Sequence, residues 1–244
     1  MAHRGESKHL KRIAVPKVVL IKNKKKYTWV INPSPGPHNK KHSVPLLVII
    51  RDILGFAKTA RETKRILNAR LVSVDGINRM NLAFPVGLFD VLHLLKADKY
   101  YRLFVDNKGR LFPKEVEKSG VHKKLLKVVG KHVVKKTKIT ISLNDGKSII
   151  ADNHVKVGDS ILLNLNDNKI EKILKLEKGA TCLITEGKHA GTVAKLSDII
   201  ERQEGKPAEA KLETKDGEFI TVAKYLFVVD SHFISGSTGA SHEQ

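Results

Sequence analysis

Residues 43–79 read SVPLLVIIRDILGFAKTARETKRILNARLVSVDGINR, and the period of their apolar residues changes from helical to strand-like within the stretch. A first helix is predicted from Ser43 or Val44, where a small hydroxyl followed by Pro45 suits a first turn whose amides have no partner. It runs to about Gly55, with Leu46, Leu47, Ile50, Ile53 and Leu54 as its buried stripe and Arg51 and Asp52 to one side. Thr59 and Glu62 form a capping box that opens a second helix. At about 100° per residue, Arg61, Lys64 and Arg65 share one face, while Ala60, Ile66 and Leu67 point the other way. From Leu71 to Val74 the pattern is strand, and Asp75-Gly76 supplies the left-handed turn of a two-residue hairpin returning through Met80.

The polar side of this stretch is basic. Arg70 and Arg79 flank the hairpin, and Lys58 stands at the entrance of the second helix. Charges on an isolated small helix are ordinarily a solvated face, so the rest of the chain has to decide their meaning. The formal net charge is +20, with a sequence pI near 9.9, which calls for a polyanionic partner, nucleic acid before an acidic membrane surface. Residues 1–42 hold 11 Lys and Arg against one acid, 43–105 hold 10 against 5, and 106–174 hold 15 against 8. Beyond them the balance is 6 against 6 up to residue 210 and 3 against 5 to the end. The anionic partner is therefore expected at the first 174 residues.

The leader, 1–42, strings Arg4, Lys8, Lys11, Arg12 and Lys17 ahead of Lys24, Lys25 and Lys26 without a sustained period. It is expected to order only against phosphate. Tyr27 to Ile31 fits a short strand or a stacking patch, with Trp29 more in keeping with packing than with a base platform. Residues 32–38, with three prolines, exclude a helix and lead through Lys40 and Lys41 into the first helix.

After the hairpin, strands are predicted from about Val91 to Leu95 and from Tyr100 to Val105, completing a unit of 43–105. From about Leu125 the chain reads as short strands with tight turns: 138–143, 148–151, 160–165 and 170–176 in a central β unit, 106–174. Their spacing of roughly ten residues suggests a small barrel. Lys131, Lys135, Lys136 and Lys138 gather on one strand and its approach, where phosphate contact and solubilising charge fit equally well. A second β unit, 175–230, holds a strand, a glycine-bounded loop and a strand over 179–193, a hairpin around Asp216-Gly217 and a last strand, Tyr225 to Val229. The tail, 231–244, is rich in Ser, Gly and His, and disorder is expected.

Much chemistry is missing. No phosphate loop or dinucleotide-binding glycine pattern occurs, and the eleven histidines and single cysteine show no metal-ligand spacing. No Ser, His and acid grouping is recognisable. Cys182 has no partner for an internal disulfide and reads as a small buried hydrophobe, in keeping with a reducing compartment. No apolar run approaches the roughly 20 residues of a membrane-spanning helix, and the expectation is a soluble intracellular protein.

The order of helix, capped helix, strand and Val-Asp-Gly turn over 43–79 resembles the alpha-L RNA-binding motif, and residues 179–193 resemble the KOW motif, with Gly191 holding the backbone between strands. With His9-Leu10-Lys11-Arg12, Gly36-Pro37-His38 and Phe84-Pro85-Val86-Gly87 added, residues 1 to about 230 resemble the small-subunit ribosomal protein four-e family of archaea and eukaryotes. The resemblance implies a multidomain α+β fold: leader, alpha-L unit, central small β-barrel and C-terminal KOW-containing barrel of the SH3-like kind. It implies a structural, non-enzymatic role in the cytoplasmic ribosome. The partners would be small-subunit ribosomal RNA and neighbouring small-subunit proteins, with no membrane, small-molecule substrate, cofactor, metal or homo-oligomer, and an archaeal source. From the placement of charge in the leader, the helices and the hairpin, the residues expected to contact RNA phosphates are Arg4, Lys8, Lys11, Arg12, Lys17, Lys24, Lys25, Lys26, Lys40, Lys41, Arg51, Lys58, Arg61, Lys64, Arg65, Arg70 and Arg79. Two competing classes are an RNA-modifying enzyme carrying an alpha-L unit and a KOW-type transcription factor. Against the enzyme, only 139 residues follow position 105, and they read as small β units.

Overall fold

The structure is a computed structural model that describes residues 9–21, 25, 27–135, 138–151, 153–202, 205–214, 217–230 and 233. Arg4, Lys8, Lys24, Lys26, Lys136 and most of the tail lie outside the described residues. The chain divides into two compact units, residues 1–103 with 110–115, and residues 104–109 with 116–244.

The first unit is built on a sheet of order Ile77–Asn78, Val72–Val74, Val91–Leu94, Lys99–Val105 and Leu111–Glu115. Pairing of Val72 with Leu94 and of Val74 with Leu92 puts these four side chains on one face, all buried, as the two-residue period of a strand requires. The hairpin turn adopts the left-handed conformation that its sequence demands, Asp75 at φ +50° and Gly76 at φ +79°, with Val74 opposite Ile77.

The first helix, α1, departs from its expected form. Its first turn, Leu46–Val48, is α, and Ile49–Ile53 continues as a wider π turn closed by Leu54 N–H donating to the Ile49 carbonyl. Ser43 is not the cap. Val44–Pro45 is a strand paired with Pro85–Val86, and the first helical amides, Leu46 and Leu47, donate to the carbonyls of Phe84 and Leu82, each at 3.0 Å. A long-range loop thus does the work that a hydroxyl was expected to do. The five residues from Leu46 to Ile50 are all buried rather than forming a stripe, as befits a helix surrounded by its own unit. The helix ends at Gly55, φ +72°.

The second helix, α2 (Ala60–Asn68), begins as predicted. Thr59 Oγ1 accepts from Glu62 N–H at 3.2 Å, while the Glu62 carboxylate takes the Lys58 amide at 2.9 Å. Leu67 is fully buried. So is Thr63, whose hydroxyl donates to the Thr59 carbonyl and so carries no unpaired donor into the core.

The described part of the leader is folded, against the expectation that it orders only on phosphate. Leu10–Lys11 pairs antiparallel with Trp29–Val30, and Leu10, Val19 and Val30 are buried. Val19 bridges to Leu111. Two-residue strands are too short to show a period, yet each hides its apolar side chain against the unit. The proline connector is anchored as well. Ser34 N–H donates to the Ala83 carbonyl, and His38 Nε2 lies 3.0 and 3.1 Å from the two buried carboxylate oxygens of Asp90.

The second unit holds two antiparallel five-stranded sheets. One has the order Ser148–Ala151, Lys138–Leu143, Lys123–Lys135, Ser160–Asn164, Ile170–Leu174, over a core that includes Leu126, Val128, Ile141, Ile161 and Leu163. The other has the order Gly217–Val222, Glu209–Thr214, Val193–Ile200, Thr181–Ile184, Leu226–Val228, over Cys182, Ile184, Leu196, Leu212 and Leu226. Gly191, at φ +83°, is required twice over, because a Cβ there would lie 2.3 Å from the Asp106 carbonyl oxygen.

Candidate nucleic-acid interface

The capping box fixes where α2 starts, and the start fixes which residues face solvent. With Thr63 and Leu67 inward, Arg61, Lys64 and Arg65 are exposed together, with Lys58 exposed one residue before the cap. Among the described residues none of these four pairs with a carboxylate within 4 Å. Glu62, the acid nearest in sequence, has one oxygen turned back to the Lys58 backbone. Among the described residues, nothing therefore neutralises this positive helix surface.

Several cations of the second unit are neutralised instead. Lys123 pairs with Glu171 at 2.8 Å, Lys172 with Asp230 at 2.9 Å, Lys178 with Asp198 at 2.9 Å, Arg202 with Glu209 at 2.6 Å and Lys211 with Glu218 at 2.6 Å. Such exposed pairs stabilise little but cancel the outward field. The hydrogen bond from Lys178 holds the Asp198 carboxyl below its ordinary range, and that from Lys123 does the same for Glu171. Lys124 is buried 3.7 Å from Asp145, and Lys127 Nζ donates to the carbonyls of Lys224 and Leu226 at 2.8 and 2.6 Å. Burial brings the Lys127 ammonium down to about 8. Lys131 donates to Asn153. Charge counting by segment could not see that these lysines are engaged internally.

The remaining candidates sort in the same way. Arg51 donates from Nε and Nη2 to Asp52, and this hydrogen bond raises its pKa. Arg12 is 4% exposed, with Nε and Nη1 lacking hydrogen-bond partners, and the guanidinium carbons of Arg12 and Arg51 lie 5.5 and 5.7 Å from the centroid of the Tyr27 ring. Arg79 covers the Phe84 ring at 4.4 Å. These three arginines differ from the cations of α2 in having internal partners, an aromatic ring for each and a carboxylate for Arg51. Lys11, Lys17, Lys25, Lys41 and Arg70 are exposed, and Lys40 is half-buried in the turn Lys40–His42. The aromatic partners of the arginines carry no sequence signal, since Tyr27 is separated from Arg51 by 24 positions. Among the described residues no three His, Cys, Asp or Glu are grouped as a metal would need, and no helix is long and apolar enough to cross a membrane.

In class, then, this is a strand-rich, multi-unit α+β protein that holds carboxylate-free cations on one helix surface. Residues 97–170 match the model of ribosomal family S4e, and residues 4–41 match that of the RS4NT domain. The small ribosomal subunit protein eS4 of Methanosphaera stadtmanae is 45% identical over 94% of this chain and 95% of its own length, and that of Archaeoglobus fulgidus is 41% identical over 91% and 92%. The crystal structure of the 30S ribosomal protein S4e from Thermoplasma acidophilum superposes with a TM-score of 0.67 at 34% identity, covering 79% of this chain and 97% of that one. The chain belongs to the S4e family of small-subunit ribosomal proteins, whose members are structural and not enzymes.

Proposed function

We propose that this chain is a structural constituent of the archaeal small ribosomal subunit that docks on ribosomal RNA through α2 and the basic leader. The observation that carries the RNA contact is that Lys58, Arg61, Lys64 and Arg65 lie exposed on one helix surface with no carboxylate partner among the described residues, whereas second-unit cations such as Lys123, Lys178 and Lys211 are matched. An exposed cluster without internal counter-charge repels itself in the free protein and is relieved by phosphate, with release of condensed counterions. Folded RNA offers phosphate positions and shape more than base edges, so recognition is of an RNA tertiary surface.

In finer terms, 43–105 is the alpha-L unit, 106–174 a small β-barrel and 175–230 a KOW-containing barrel of the SH3-like kind. The chain's further partners are neighbouring small-subunit proteins. The direct experiment is sedimentation of cell extract: the protein should travel with small subunits and leave only in high salt. Migration apart from subunits at physiological salt refutes the reading.

A further inference from the structure

Trp29 is the chain's single tryptophan, and its placement is the reverse of what packing would require. The ladder between Leu10–Lys11 and Trp29–Val30 has two sides. Leu10 opposite Val30 is buried; Lys11 opposite Trp29 faces solvent, with the indole 56% exposed. Directly opposed residues of an antiparallel pair hold their Cβ atoms about 5 Å apart, so the Lys11 and Trp29 side chains leave the ladder side by side on one surface. The His9 ring meets the indole edge-on, at a centroid distance of 5.7 Å and an interplanar angle of 88°. An edge-on neighbour orients the indole while leaving ring area uncovered. Around this pair, residues 1–42 contain a single acid.

We propose that the Trp29 indole is a stacking platform for an unpaired base of ribosomal RNA, with Lys11 on the phosphate of the same or the adjoining nucleotide. A nucleotide presents a π-face and an anion a few ångströms apart, which is the pattern that the exposed indole and ammonium complement. An acidic protein partner would satisfy Lys11 but offers no matching use for the uncovered ring. The proposal rests on the RNA-docking reading above and adds a base contact to what is otherwise phosphate recognition.

A sole tryptophan makes the test direct, because its emission reports on one position. The full-length protein is titrated with small-subunit ribosomal RNA while Trp29 fluorescence and binding are followed at several salt concentrations. Stacking predicts quenched emission on binding. Trp29→Ala should weaken affinity about tenfold with an unchanged salt dependence, Trp29→Phe should restore most of it, and Lys11→Gln should lower the salt slope by about 0.7. Thermal melts of the three variants close to the wild type establish that each is folded. Wild-type binding by Trp29→Ala with unperturbed emission in the parent overturns the platform and leaves the docking reading intact. A loss of Trp29→Ala from assembled subunits without any change on naked RNA assigns the indole to a protein neighbour and equally overturns it. Failure of the parent protein itself to bind the RNA removes the docking reading.

Discussion

Arg51 donates from Nε and Nη2 to the two carboxylate oxygens of Asp52, at 3.0 and 2.9 Å, whereas Arg61 and Arg65 on the next helix have no carboxylate partner among the described residues. All three are arginines of one short stretch, but only two lack an internal carboxylate among the described residues. Arg61→Ala with Arg65→Ala should weaken binding to small-subunit ribosomal RNA fragments by about tenfold or more, and should reduce the slope of log affinity against log salt by about 0.7–0.9 per cation removed. Arg51→Ala, losing an already neutralised group, should leave that slope unchanged. Filter binding across a salt series separates the two; an equal effect of Arg51→Ala removes the distinction between paired and unpaired cations.

The orientation of the cationic face depends on the helix cap. Thr59→Ala deletes the acceptor of the Glu62 amide and should cost about 1 kcal/mol of stability. Chemical denaturation measures this, and Thr59→Ser should recover most of it because the hydroxyl is retained.

His38 and Asp90 tie the proline connector to the sheet unit. Asp90 Oδ2 also accepts the Gly87 amide at 2.8 Å, and both side chains are buried. Asp90→Ala leaves the imidazole and that amide without their acceptor, and a loss of about 2–4 kcal/mol is expected. Gly87→Ala should also destabilise, since a Cβ there would fall 2.5 Å from the His38 ring. Denaturation midpoints close to the wild type in both variants would show that the connector is not held at this point.

Gly191→Ala combines a left-handed backbone with a Cβ lying against the Asp106 backbone. The neighbour is main chain and cannot swing aside, so about 2 kcal/mol or more should be lost. A substitution at Gly76, also at positive φ but with nothing within 4 Å of its Cβ, should cost less. The ranking of the two by thermal melting is the check.

Burial pushes the Cys182 thiol up to about 12, and the residue is fully buried. Its folded value lies above the unfolded one, so the neutral thiol favours the fold fully below about pH 9 and this contribution declines as pH rises toward 12. Thiol alkylation at pH 8 should therefore be slow in the native protein and fast after unfolding. Rapid native labelling would show that the strand Thr181–Ile184 opens readily.

Local chemistry was enough for much of this protein. The Thr59–Glu62 spacing located α2, Asp75-Gly76 located the hairpin, and the alternation after Leu125 announced β structure, because caps, turns and strand periods depend on neighbours a few residues away. The cations of α2 followed from the same helical period. What periodicity could not supply was the use made of each charge and each aromatic ring. Ser43 gave way as cap to carbonyls from Phe84 and Leu82, nearly 40 positions downstream; Arg12 and Arg51 met at Tyr27; Trp29 turned outward because Leu10 and Val30 turned inward. The sequence by itself determined α2, its hairpin, the β character beyond Leu125 and the charge of each segment. Only the tertiary structure decided which cations remain free for a polyanion, since neutralisation and desolvation arise from groups far apart in the chain that folding brings within a few ångströms.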